Sequence, residues 1–320
     1  MHAWVDIPGS RLGIVRAPAH MRGMAVESVS GAEIFDRRAV RQHRDRAAAT
    51  LPEVAGILHE AAGRLLDRLD DVTRRFSTAL DIGGRGIVAP LLQARGIGVT
   101  SCDLSARMAA RSVGANALAA DEEFLPFAPD SFDLVVASLS LHWVNDLPGC
   151  LIQLRRAMRP DGLLLASLPT IGTGAALAQA LAGVEAALTG GASPRVAPFP
   201  SLRDAAGLLQ RAGFALPVAD LDEIRLLYAD PLALLRDLRA AGETNALCQR
   251  DRRIPPRGLF PAALAAMPRA GDRIEVTLRL AMLTAWAPAP SQPQPLRPGS
   301  AQTSLAAALR PPPDAAAKSC

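Results

Sequence analysis

Thr78-Ala79-Leu80-Asp81-Ile82-Gly83-Gly84-Arg85-Gly86-Ile87 decides how the rest of the chain is read. A short apolar run ends in the carboxylate of Asp81 and turns through three closely spaced glycines into a helix-like segment, Ile87 to Ala94. Glycine admits positive φ and lets the backbone approach a ligand without a Cβ in the way. The helix behind the turn opens with unpaired N–H groups. Taken alone, the motif is equally a tight strand-to-helix turn with no ligand.

On either side of the turn the chain alternates between strand and helix. Upstream, Val54, Ile57, Leu58, Ala61, Ala62, Leu65, Leu66 and Leu69 keep the i, i+3, i+4, i+7 spacing of an amphipathic helix. Downstream, strands are expected at 98–102, ending at Asp103, and over Phe132–Ser138 and Leu163–Leu168. Helices are expected from Ser105 to about Val113 and through Leu147, Leu151, Leu154 and Met158, stopped by Pro160-Asp161-Gly162. Continuous apolar strands alternating with helices mean an α/β fold with a doubly wound, mostly parallel sheet. Glu223–Tyr228 and Ile274–Trp286 alternate like strands and would add an antiparallel edge.

The organisation expected is a flexible extension over 1–32, one domain over 33–286 and a disordered Pro/Ala-rich tail over 287–320. Residues from about 170 to 215 form a helical insertion whose first half, rich in Gly, Ala, Ser and Pro, reads as a mobile connection or lid. Ile34 to Arg46 reads as a solvated, charged helix face.

The net charge of +4 is nearly all arginine, since Lys318 is the only lysine, and no basic stripe interleaved with aromatics marks a nucleic-acid partner. The four cysteines are far apart and form no CxxC, which argues against a disulfide framework and structural zinc and fits a reducing compartment. The five histidines show no two-His-one-carboxylate spacing, so no metal is expected. No run reaches the length of a membrane span, which leaves only peripheral membrane association open. No secretory signal is visible. The compartment expected is a bacterial cytoplasm, with the mitochondrial matrix as the alternative. The oligomeric state is not legible.

Four features fall at the carboxyl ends of successive strands, where open α/β sheets bind ligands. These are the turn with Asp81, Gly83, Gly84 and Gly86; Asp103 with Leu104, suited to ribose hydroxyls; Asp121-Glu122, suited to an exocyclic amine; and the segment from Ser138 to His142-Trp143 near the reactive group. A dinucleotide site is the competitor. A lone carboxylate directly before the glycines suits a positive centre, such as a sulfonium, better than a pyrophosphate. The cofactor indicated is S-adenosylmethionine.

The order of these motifs resembles class I S-adenosylmethionine-dependent methyltransferases over roughly residues 50–170. Ile34-Phe35-Asp36-Arg37, Ala120-Asp121-Glu122-Glu123-Phe124-Leu125-Pro126-Phe127, Ser138-Leu139-Ser140-Leu141-His142-Trp143-Val144-Asn145-Asp146-Leu147-Pro148 and Gly242-Glu243-Thr244-Asn245 resemble one subfamily more narrowly. That subfamily is the methyltransferase-like assembly factors of respiratory complex I, with the O-methyltransferase of malonyl-acyl-carrier protein as a relative. The resemblance implies a seven-stranded Rossmann-like sheet and an enzyme that hydroxylates an arginine of a complex I subunit.

The sequence departs from the family pattern at the glycine turn. Asp81-Ile82-Gly83-Gly84-Arg85-Gly86 is one residue shorter than the usual Asp-x-Gly-x-Gly-x-Gly. Arg85 brings a cation to this turn and is expected to point outward. His142 is a candidate base and equally a buried histidine packed beside Trp143. Glu223, Glu243, Tyr228 and Asn245 are candidates to meet a guanidinium substrate. Three readings stay open: an arginine hydroxylase, a methyltransferase for a small acid, carrier protein or protein side chain, and a non-catalytic chaperone with a vestigial pocket.

Overall fold

The computed structural model describes residues 12–14, 33–293, 300 and 304. In chain order the strands are β1 (Leu12–Ile14), β2 (Thr78–Ile82), β3 (Gly98–Asp103), β4 (Asn116–Ala119), β5 (Phe132–Ser138), β6 (Met158–Pro169), β7 (Ala215–Tyr228), β8 (Arg269–Ala270) and β9 (Arg273–Trp286). The helices are α1 (Arg37–Ala47), α2 (Ala55–Leu66), α3 (Val88–Ala94), α4 (Ala106–Ala109), α5 (Leu147–Ala157), α6 (Ala175–Thr189), α7 (Leu202–Arg211), α8 (Pro231–Ala240) and α9 (Leu259–Ala265).

β2 is central because Ala79 to Ile82 are buried on both sheet faces, as interior parallel strands require. It pairs in parallel with β3 on one side and β5 on the other. The main sheet runs β4-β3-β2-β5-β6-β9-β7, with only β9 reversed. The chain first winds outward through β3 and β4 and then crosses to β5. The switch point therefore lies beside the carboxyl end of β2, where the glycine turn stands. Two short strands extend the expected set of seven: β1 lies along β4 and β8 along β9. β1 falls inside the expected 1–32 extension. The rest of that stretch, and nearly all of the expected tail beyond 293, lie outside the described residues.

α2 covers one sheet face by packing Leu58, Leu65 and Leu66 over Ala79, Leu134 and Leu163. α5 and α7 cover the other, with Leu151, Leu154 and Leu209 against Leu80, Val135 and Leu164. Burying each such leucine contributes roughly 2 kcal/mol. The strand expected at Leu163 begins earlier, at Met158, which pairs with Phe132 before a register shift. Pro160-Asp161-Gly162 is thus an irregularity within β6, marked by φ 63° at Asp161.

β7 and β9 continue pairing to Tyr228 and Ile274, past the end of β6 at Pro169 opposite Leu280. The resulting arm is covered by α6, α8 and α9 through Leu177, Leu181, Leu234, Leu259 and Leu264. The insertion expected at about 170–215 is therefore divided, with α6 on the arm and α7 under the main sheet. Within the stretch read as a connection or lid, α6 packs through Leu177 and Leu181, and Glu185 ties the segment after it through Ser193 and Arg195.

Candidate cofactor and substrate site

The glycines of the turn are required first by the protein's own packing. A Cβ on Gly84 would lie 2.0 Å from either oxygen of Asp81, whose carboxylate tucks beneath the turn. Gly83, at φ 63°, leaves no room for a side chain because Ser140 Cβ stands 2.4 Å from the position it would take. Burial pushes the Asp81 carboxyl up to about 7; the Ser101 hydroxyl, which donates to it at 3.3 Å, opposes that rise and nearby Asp103 adds to it.

α1 is not the solvated helix that its charge suggests. Asp36 caps it by accepting from Ala39 N. Asn145 Oδ1 accepts from Ile34 N and Phe35 N, Asp36 N donates to the Ala246 carbonyl, and Arg250 pairs with Asp36 Oδ2. So anchored, the helix turns Arg37, Val40, Arg44 and Ala47 inward. Arg44 is 1% exposed. Its Nη1 lies 2.6 Å from Glu122 Oε1 and 3.5 Å from Asp103 Oδ1, and its Nη2 donates to the Ser140 carbonyl at 3.2 Å. Arg37 pairs with Glu122 Oε2 and Asp121 Oδ1 and donates to the Trp143 carbonyl at 3.0 Å. Burial alone would raise the Glu122 carboxyl, but Arg44 and Arg37 overcome it and hold the group below its ordinary range. Asp103 is raised by burial, with Arg44 opposing.

Arg85 points inward, against expectation. The shortened turn puts it at φ 53° and buries its side chain. Nη2 donates to the Leu139 carbonyl at 2.8 Å and to Glu243 Oε1 at 2.6 Å. Glu243 Oε2 accepts from Trp143 Nε1 at 2.7 Å and lies 2.8 Å from His142 Nε2. Burial would raise Glu243, yet His142 and Arg85 hold it well below the usual carboxylate range. His142 and Trp143, on the turn Leu141–Trp143, are both buried and both face this carboxylate.

The structure therefore brings Asp81, Gly83, Gly84, Gly86, Asp103, Asp121, Glu122, Ser138, His142, Trp143 and Glu243 around one end of the sheet. Leu104 packs beside the cluster of Phe35 and Trp143, whose rings meet edge to face at 5.2 Å. Three expected substrate residues are engaged elsewhere. Tyr228 sits in the arm's apolar cluster with its hydroxyl bonded to Asp237, which together with burial pushes it up. Asn245 is spent on the chain itself, donating to the Pro194 carbonyl at 2.9 Å and accepting from Leu247 N. Glu223 pairs with Arg279 on the arm. Sequence reasoning missed Arg37 and Arg44. The available signal was their spacing with Val40 and Ala47, which places all four on one helix face.

A nucleoside cofactor fits the polar groups present. Asp103 Oδ2 and Ser140 Oγ are buried and without a hydrogen-bond partner, and a ribose would supply hydroxyls to such acceptors. Space is the constraint. The cavity beside the turn, lined by Leu58, Gly83, Gly84, Arg85, Ile87, Val88 and Ser138, measures about 10 Å³, room for one water. Among the described residues, no three His, Cys, Asp or Glu are grouped to hold a metal ion, and no helix is long and apolar enough to cross a membrane.

The strand order and the placement of these carboxylates define a class I S-adenosylmethionine-dependent methyltransferase. A family model described as "Methyltransferase domain" matches residues 80–166. The mitochondrial arginine-hydroxylase NDUFAF5 of Danio rerio is 33% identical over 291 residues, 87% of this chain and 90% of that protein. Its Homo sapiens counterpart is 34% identical, with 93% and 90% covered. The malonyl-[acyl-carrier protein] O-methyltransferase of Xylella fastidiosa is 35% identical, with 80% and 89% covered. Among solved structures, the YcgJ protein of Bacillus subtilis aligns with a TM-score of 0.50 at 15% identity, covering 72% of this chain and 99% of that one, which shows the shared fold. The chain belongs to the family of the NDUFAF5 arginine-hydroxylases and their malonyl-acyl-carrier-protein O-methyltransferase relatives, enzymes whose cofactor is S-adenosylmethionine.

Proposed function

We propose that this enzyme hydroxylates an arginine side chain of a protein substrate, a subunit of respiratory complex I. The observation that carries the reading is its identity with the arginine-hydroxylases along nearly the full length of both chains. The acceptor set around Glu243, which already holds a guanidinium, supports it.

Asp103 would hold the cofactor's ribose, Asp121 and Glu122 its exocyclic amine, and the turn with Ser138 its amino-acid end. Bound S-adenosylmethionine would supply an electrophilic methyl carbon, the chemistry of the methyl-transfer reading below; hydroxylation takes its oxygen atom from a separate two-electron oxidant. The chain's own residues position and exclude water. Glu243 orients a cationic substrate group, His142 Nε2 shares a proton with that carboxylate, and Phe35 with Trp143 closes the apolar side. The compartment proposed is the bacterial cytoplasm, with the matrix as the alternative favoured by the mitochondrial relatives.

A second reading, methyl transfer to a small carboxylic acid or carrier-protein-bound acid, is favoured by the O-methyltransferase relatives. Mass spectrometry of the complex I subunit and of the acyl-carrier-protein fraction from wild-type and deletion strains separates the two. A wild-type subunit peptide heavier by one oxygen at an arginine supports hydroxylation and an unchanged mass in the two strains rejects it, whereas a methyl ester on the carrier-bound acid that is lost in the deletion strain indicates methyl transfer. Calorimetry with S-adenosylmethionine tests the cofactor site, with binding expected for the wild type and lost in Asp103→Ala.

A further inference from the structure

Three acceptors from two chain segments converge on one guanidinium. The Leu139 carbonyl, just after β5, and Glu243 Oε1, in the loop after α8, accept from Arg85 Nη2 at 2.8 and 2.6 Å. The Ala241 carbonyl accepts from Nη1 at 3.4 Å. The second Glu243 oxygen is held by Trp143 and His142, so the carboxylate cannot rotate out of the cup. A planar, forked donor matches acceptors spread this way, whereas an ammonium is a compact point charge.

Arg85 fills the cup imperfectly. Its backbone is left-handed at φ 53°, and its Nε is buried and donates to nothing. Nor is the cup sealed. The Arg85 side chain is 2% exposed and that of Glu243 is 21% exposed, so one edge of the cup borders solvent.

We propose that this cup is a guanidinium-binding site, that Arg85 is its resident occupant, and that a substrate arginine displaces Arg85 to take the same acceptors. The assignment rests on the reading of an arginine substrate and names the group that recognises it. Arg85 and Glu243 are then specificity residues: one keeps the buried carboxylate paired until substrate arrives, and the other receives the substrate.

The test is rescue of a cavity variant. Arg85→Ala should lower the melting temperature, and methylguanidinium at millimolar concentration should restore about 2 °C of it by mass action. Methylammonium at equal concentration should restore none, and Arg85→Ala/Glu243→Gln should not respond. Absence of rescue, equal rescue by methylammonium, or rescue persisting without Glu243 overturns the proposal. If Arg85→Ala does not fold, Arg85→Gln carries the same comparison. If neither folds, the wild type is titrated with N-acetylarginine amide and read by NMR at the Trp143 indole N–H. A saturable shift absent with N-acetyllysine amide supports the site, and no shift overturns it. Rescue with a methylated product keeps the site and rejects hydroxylation; an oxidised product without rescue keeps hydroxylation and rejects the site.

Discussion

Arg44 stands between two buried carboxylates, with Nη1 2.6 Å from Glu122 Oε1 and 3.5 Å from Asp103 Oδ1. Each carboxylate is at most 1% exposed. Two acids this deeply buried repel one another and need a shared cation. Two residues suited to bind a nucleoside are thus paired by a helix some sixty positions earlier in the chain, which holds Glu122 below its ordinary range and opposes the rise of Asp103.

Removing that cation leaves uncompensated buried charge. Arg44→Met should cost about 3 kcal/mol at pH 7. Glu122 is held below its ordinary pKa, so the stability it contributes is present above the unfolded carboxylate range and lost as pH falls. The gap between wild type and variant should therefore hold down to about pH 4.5 and narrow below it, towards about pH 2, in urea unfolding series. A gap independent of pH would assign Arg44 a packing role instead.

Asp81 works in the opposite direction. Its folded pKa, about 7, lies above that of an unfolded aspartate, so the native state binds the extra proton between those values. Stability then falls as pH rises from about 4 to 7, by up to roughly 1.4 kcal/mol per pH unit. Asp81→Asn should remove this slope, and denaturant midpoints measured across that range will show whether it does.

Two glycines separate backbone demand from helix propensity. Gly83→Ala must carry a Cβ at φ 63° and meet Ser140, so a loss above about 1 kcal/mol is expected, with cofactor binding weakened. Gly63→Ala, inside α2 with nothing within 4 Å, should gain about 0.5–1 kcal/mol. Thermal melts of the two variants should move in opposite directions.

Asp36→Ala removes both the cap of α1 and the partner of Arg250. A loss of about 1 kcal/mol is expected. Amide exchange should quicken in α1 and leave α2 unchanged. Uniform quickening of both helices would mean that α1 does not open separately.

The sheet and α2 were legible because hydrophobic period reports burial directly: Leu58, Leu65 and Leu66 announce a packed face, and Phe132–Ser138 an interior strand. Asp103 and Asp121-Glu122 were legible because strand ends in this fold class meet at one edge. The arginines were not. A charged helix reads as solvent-exposed unless its counter-ions are known, and those of Arg37 and Arg44 lie beyond residue 100. Arg85 depended on a one-residue deletion whose effect is geometric and leaves no mark in composition. Tyr228 was misplaced because the length by which β7 outruns β6 is a matter of register. Asn245 looked available only because its partner, the Pro194 carbonyl, belongs to a loop.

The anchoring of α1 also sets an order of events during biosynthesis. Phe35 bridges Leu247, Cys248 N donates to the Ile34 carbonyl, and Asp36 N donates to the Ala246 carbonyl. The segment that docks the first helix is thus translated some two hundred residues after it. On the ribosome, β2 to β6 can pair while Asp103 and Glu122 still lack their fastened arginines. Chains ending before residue 246 would keep the Asn145 anchor and lose these three contacts, so the fastening of the first helix is completed only late in synthesis.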